Sequence, residues 1–215
     1  MGLLMVRSQT LAALSLGLVA FCHPLAECRA MTLVDRFQAD ETGAGPAAVR
    51  LARRALEEYC LRRQRISVPA GLPPLLAQRG AVFVSAQAAG GAPRCCMGSL
   101  YPRGATLAAD IVEMACRAAA HDLRFAPLRP DELPGLRVIV SVLDPPEPIA
   151  DPWTLDPLTD GLAARGPRRT GVVLPGETGM RERFVRWAQV RADLQPGEQA
   201  VYLRLRAVRF IEPEG

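Results

Sequence analysis

Between residues 47 and 64, apolar side chains recur three or four positions apart at Ala48, Leu51, Ala52, Ala55, Leu56, Tyr59 and Cys60. This spacing predicts an amphipathic helix. Arg53 with Glu57 and Arg54 with Glu58 form i,i+4 ion pairs on the opposite face, and Pro46 and Pro69 bracket the segment. Residues 69–80 read as a proline-rich connection. The apolar run AVFVSA over 81–86 predicts a buried strand, Gly90 and Gly91 a turn, and 93–100 its hairpin partner. Thr106 is placed to cap a second helix that runs to His121, with Leu107, Ile111, Met114, Ala115 and Ala118 on one stripe. RVIVSVL over 137–143 predicts another strand, stopped by Pro145 and Pro146. A short hairpin follows over 161–165 and 170–174, then a third helix over 181–194 with Phe184, Trp187 and Arg191 on one stripe. The last strand, 200–210, alternates Val201, Leu203 and Leu205 against Tyr202, Arg204 and Arg206. Hairpin neighbours and few crossover helices predict an α+β fold. Helices cover a mainly antiparallel or mixed sheet, arranged in one or two lobes.

Composition narrows the chemistry. Of 215 residues 49% are hydrophobic and 22% charged, a balance that builds a core without metal or disulfide support. The net charge is +4, and every basic residue is arginine. Without lysine there is no G-x-x-x-x-G-K-[ST] loop, and no G-x-G-x-x-G follows a strand, which argues against nucleotide hydrolysis and dinucleotide chemistry. With only His23 and His121, a multi-histidine metal site is excluded for one chain, and no cofactor is called for. The six cysteines contain no C-x-x-C.

Residues 1–30 carry Arg7, an apolar run over 11–21 and a small-residue end at Ala30. Two readings stand. In one this is a secretory signal peptide, and the mature protein is periplasmic or secreted. In the other, synthesis starts at Met31, the first thirty residues are a spurious extension and the protein is cytoplasmic. The apolar run is too short to predict a membrane span. Residues 31–46 read as a flexible lead-in, and 47–212 as the folded domain.

The stretch RCCMGSLYPRGATLAADIVEMACRAAAHDLRFAPL, residues 94–128, resembles the AMMECR-type domain family. That family carries an L-R-G-C-I-G-[ST] strand, then a helix, then D-x-R-F-x-P-L. Arg94, Cys96, Gly98 and Ser99 fall on the first motif, and Asp122, Arg124, Phe125, Pro127 and Leu128 on the second. The likeness continues upstream in LARRALEEY and downstream in Glu132-Leu133-Pro134, VIVSVL, Leu174-Pro175 and the last strand. Cys95 stands where the family has glycine and Pro93 where it has leucine. The segment GETGMRERF is shorter, and the helix after it lacks the family's cysteine. The resemblance implies the A component of bacterial Amme–Memo–RadiSam gene sets, with Memo-like and radical-SAM proteins as partners. It also implies a ligand or partner site at Arg94, Met97, Gly98, Ser99, Asp122 and Arg124, with Cys96 at its centre.

Adjacent strand residues point to opposite faces, so Cys95 and Cys96 neither share a metal nor bond to each other without strain. One of the two is expected buried. Cys96 requires a positive neighbour to ionise, for which Arg94, Arg103 and Arg124 are candidates. A helix folded back along the strand overshoots Cys96 by roughly 10 Å at His121, so helix-end solvation is the reading for that histidine. Asp122 and Arg124 read either as turn-fixing groups or as a cleft-lining pair for a small anion. Cys60 and Cys116 read as packing residues.

Three functions follow. The first is a cleft-bearing companion of Memo-like or radical-SAM proteins. The second is a thiol enzyme using Cys96 on a small anionic substrate. The third is nucleic-acid binding through Tyr202, Arg204 and Arg206, which the modest charge argues against.

Overall fold

The computed structural model describes residues 30–213. The leader segment therefore falls outside the described residues. Four helices, α1 (Leu33–Gln38), α2 (Ala44–Arg62), α3 (Leu107–Ala120) and α4 (Arg181–Arg191), accompany two four-stranded sheets. The first sheet has the order β2 (Pro93–Gly98), β1 (Ala81–Gln87), β3 (Arg137–Leu143), β8 (Ala207–Ile211). The second has the order β4 (Glu147–Ile149), β7 (Val201–Leu205), β5 (Gly161–Arg165), β6 (Thr170–Val173). Every strand pair is antiparallel. This is the expected α+β fold, with its sheet divided in two.

Alternation along the strands explains the layering. Val82, Val84 and Ala86 of β1, with Val138, Val140 and Val142 of β3, face α2 and α3. On the other face, Ala81, Phe83 and Leu143 meet Ala163, Leu203 and Leu205 of the second sheet. Leu162 and Ala164 of β5 face outward onto Phe184, Val185 and Ala188 of α4. The order is thus helices, sheet, sheet, helix, with apolar residues on both faces of β1, β3 and β5.

The structure departs from the sequence expectations in four places. Residues 33–38, read as part of a flexible lead-in, form α1: Thr32 and Asp35 close a capping box, and Leu33, Val34 and Phe37 are buried. Helix α2 begins ahead of Pro46, because a proline in the first turn lacks only an N–H that has no helical acceptor there. The residues after Pro146, read as a strand stop, supply β4 on the edge of the second sheet. The last strand is two strands. It breaks at Arg206, where the chain crosses from the second sheet to the first. There Arg206 donates to Asp35 Oδ1 at 2.6 Å and pairs with the buried Asp144 at 3.3 Å, while Asp144 N donates to Arg206 O at 3.1 Å. Hydrophobic alternation runs through the crossing without marking it.

Helix α4 lies hard against β6 at Gly171. A Cβ there would stand 2.0 Å from the Ala188 carbonyl oxygen, so only glycine allows this approach. Because the obstacle is backbone rather than a movable side chain, Gly171→Ala is expected to destabilise by about 3 kcal/mol. A lowered urea midpoint with unchanged m-value checks this; a change within 0.5 kcal/mol, roughly the surface-substitution range, contradicts it.

Candidate functional site

Strand β2 lies at the edge of the first sheet and pairs only with β1. Cys96 stands opposite Ser85. Its N–H and C=O point away from β1, as every second residue of an antiparallel edge strand must. A side-chain clamp receives them. Asp122, buried just past α3, accepts from Cys96 N at 2.8 Å, and the Arg124 guanidinium donates to Cys96 O at 3.2 Å. The same guanidinium forks onto Asp122, Nε to Oδ1 at 2.9 Å and Nη2 to Oδ2 at 2.8 Å, while Arg124 N donates to Oδ1 at 3.1 Å. The two residues therefore fix their own turn and also stand in for a fifth strand. Burial alone would raise the Asp122 carboxyl, but the Arg124 fork and the two amides outweigh it and hold the carboxyl below its ordinary range.

The sequence-predicted residues fall into two groups. Cys96, Asp122 and Arg124 are brought into direct contact. Arg94 lies on the same strand but works elsewhere: beside the bulge in the pairing with β1, it forks onto Glu132 (2.6 and 2.8 Å) and donates to the carbonyls of Ala126 and Pro127. Met97 packs against the core on the side of α3. Gly98 gives room to the Phe83 ring, whose nearest carbon would stand 2.2 Å from a Cβ. Ser99 continues the pairing through its N–H to Val82 O at 3.1 Å, and its hydroxyl accepts from Tyr101 N. Arg94 and Glu132, with Phe125, Ala126, Pro127 and Arg129, line a surface hollow of about 360 Å³ that does not include Cys96. The basic groups in that hollow are both paired, Arg94 with Glu132 in its lining and Arg129 with Asp131, which stands outside the lining. Leu128 is buried as expected of an anchor, whereas Phe125 is half-buried under Arg124 and Pro127 is exposed.

The thiols behave as their faces dictate. Cys95 is buried against the helices, where burial pushes its thiol up to about 12. Cys60 and Cys116 are buried too, the latter pushed by burial up to about 11. Cys96 packs at the edge of the inter-sheet layer, where burial pushes its thiol up and the Ser85 hydroxyl, donating to Sγ at 3.1 Å, pulls it part of the way back. His121 caps the C-terminus of α3 and lies 3.4 Å from the Tyr59 hydroxyl, with no contact to Cys96. Among the described residues, no group of three or more histidine, cysteine or acidic side chains could hold a metal, and no helix is long and apolar enough to cross a membrane.

The three side chains considered for nucleic acid all have partners within the fold. Arg204 on β7 pairs with Asp160 at 2.7 Å, Arg206 sits in the crossover, and Tyr202 accepts from Gln189. Sequence reasoning missed Glu132 as the partner of Arg94, and it missed the serines. The signal for the latter was present: Ser85 and Ser141 each interrupt an otherwise apolar strand.

Comparison with known proteins places this geometry. The AMMECR1 family model matches residues 49–211. A protein of Thermotoga maritima is 34% identical over 149 residues, 68% of this chain and 86% of its own. One of Thermofilum pendens is 34% identical over 207 residues, 84% of this chain and 94% of its own. The crystal structure of the uncharacterized protein PH0010 from Pyrococcus horikoshii superposes with a TM-score of 0.70 at 31% identity, covering 77% of this chain and 90% of that one.

The Arg94–Glu132 pair makes a pH prediction. Glu132 has its carboxyl lowered to about 2, chiefly by Arg94, against an ordinary value near 4.5. A depressed carboxylate stabilises the fold above its unfolded value, and that contribution is lost as pH falls from about 4.5 to about 2. Arg94→Gln is therefore expected to move the Glu132 titration, followed by side-chain NMR, up toward the ordinary range, the Arg129 amide still holding it somewhat below, and to reduce the stability loss across that window. An unchanged Glu132 midpoint in the variant contradicts the pairing.

Proposed function

Because this chain belongs to the AMMECR1 family, we propose that it acts as a binding component beside Memo-like and radical-SAM proteins. The outer edge of β2 and the corner 121–125 form the face that meets the partner. The observation that carries this reading is Leu123, whose side chain is fully exposed (101%) between two residues that are locked in place. Asp122 is buried and Arg124 is forked to it, so the leucine is presented on a rigid turn rather than a mobile loop. An apolar side chain preorganised between two fixed residues costs little ordering entropy on association. Arg124 keeps about half its side chain exposed beside it, and the ring of Phe125 lies under the guanidinium at 5.4 Å.

The thiol-enzyme reading is weaker. Burial keeps Cys96 protonated, its hydroxyl neighbour Ser85 is not a base, and the one histidine among the described residues stands at Tyr59. The companion reading also needs a shared compartment, so it goes with a cytoplasmic product that starts at Met31 and conflicts with export of the mature chain.

The test is direct binding of the purified full chain to the purified Memo-like and radical-SAM proteins of the same cell, measured by sedimentation or calorimetry. Binding to at least one is expected, with Leu123→Asp weakening it tenfold or more, while Val190→Asp, an exposed apolar position on α4, leaves it unchanged. Failure to bind either protein, or equal loss in both variants, contradicts the reading.

A further inference from the structure

A second set of polar groups lies on the same sheet, on the face turned toward the second sheet, and no role described above uses it. Ser141 on β3 is 1% exposed and its hydroxyl has no hydrogen-bond partner. Directly opposite it on β8 stands Arg209, whose Nε is buried and equally without a partner. Cross-strand side chains at such a pairing lie on one face with their Cβ atoms about 5 Å apart, so the two residues that carry the orphaned groups are neighbours across the strand pair. Buried polar groups are normally satisfied, and two unmet donors on one face of one strand pair leave room for an acceptor.

Charge sharpens the point. Arg53, Arg94, Arg124, Arg168 and Arg191 each donate to a main-chain carbonyl, and each also pairs with a carboxylate. Arg209 likewise donates to a carbonyl, Pro175 O at 2.8 Å, yet no carboxylate among the described residues lies within ion-pair distance. A partly buried guanidinium satisfied by one neutral oxygen is poorly compensated. Arg117 on α3 also has a buried Nε without a partner, but the orphaned hydroxyl belongs to the β3–β8 pair alone. The acceptor that Arg209 does have belongs to the loop 174–180, which turns at Gly176 with φ +73°, and a Cβ on that glycine would lie 3.2 Å from the Arg209 guanidinium. The loop carbonyl thus rests on the guanidinium where an anionic oxygen would bind more strongly, and a glycine stands at the point where the loop would have to yield.

We propose that Arg209 and Ser141 form a binding site for a small oxyanion, a carboxylate or phosphate group. It would accept from the guanidinium edge and from the Ser141 hydroxyl while displacing the Pro175 carbonyl. The site is separate from the β2 edge and does not depend on the partner reading. Its test is the melting temperature of the full chain in inorganic phosphate and, separately, in malonate, each against sodium chloride of equal ionic strength. A site of about 1 mM affinity raises the midpoint by roughly 3–5 °C at 10 mM ligand.

Wild type is expected to show this rise with phosphate or with malonate, and the one that acts identifies the oxyanion class. Arg209→Gln is expected to abolish it. Ser141→Ala, which removes an unsatisfied hydroxyl and leaves the fold intact, is expected to reduce it by half or more. A rise that persists undiminished in Ser141→Ala, or no rise with either anion in wild type, overturns the proposal and leaves the two groups to water.

Discussion

Arginine here holds main chain as much as it carries charge. At the β2 edge, the Arg124 fork grips Asp122 with one side and the Cys96 carbonyl with another, and Asp122 takes the Cys96 amide in turn. Arg94 does the same between Glu132 and the carbonyls of Ala126 and Pro127, as does Arg53 between Glu212 and the carbonyls of Leu133 and Leu136. Arg191 spans Glu177 and the carbonyl of Val172, on the edge strand β6. A planar guanidinium with five donors can fork onto a carboxylate with two parallel N–H bonds and still reach a carbonyl; an ammonium has three donors and no such fork. In a chain without lysine, this is how exposed strand edges and proline-rich connections are fastened down. The placement of the β2 corner depends on it.

Much of this was written in local pattern. Period-3.6 and period-2 spacing marks α2, α3, α4, β1, β3 and β5 to within a few residues, because each buries a continuous apolar stripe. The same reasoning placed Cys95 and Cys96 on opposite faces, with one of them buried, but did not place Cys96 against the layer between the sheets. It failed where the signal is not periodic. A six-residue helix is too short to show a stripe, although Thr32 and Asp35 spell its capping box. The crossing at Arg206 preserves alternation on both sides, so nothing in the pattern distinguishes one long strand from two strands in two sheets. What decides it is the buried Asp144, more than sixty residues away. The cysteine motif and the Asp-x-Arg turn were legible as residues that belong together. Their relation, a backbone clamp rather than a cleft wall, depends on which edge of β2 is left unpaired, and strand order is a long-range property.

The clamp also shapes what the corner can do. Its charges are spent on each other and on Cys96, which removes Arg124 as a free anion receptor and leaves Cys96 without a base. What remains on offer is a rigid exposed leucine flanked by fixed polar groups, a surface suited to a protein partner. A guanidinium without a carboxylate partner lies elsewhere, at Arg209 beneath the loop 174–180. The proposed partner face and the proposed anion site thus fall at two different places around the first sheet.

The central claim is that side chains, not a neighbouring strand, close the outer edge of β2 at Cys96. Amide hydrogen exchange read at single residues measures this directly. In the wild-type protein the Cys96 amide is expected to exchange slowly although it faces away from β1. In Asp122→Ala it loses protection by tenfold or more, while the amides of Val84 and Val140, inside the sheet, keep theirs. A Cys96 amide that exchanges at the unprotected rate in wild type, or one that stays protected without Asp122, contradicts the account.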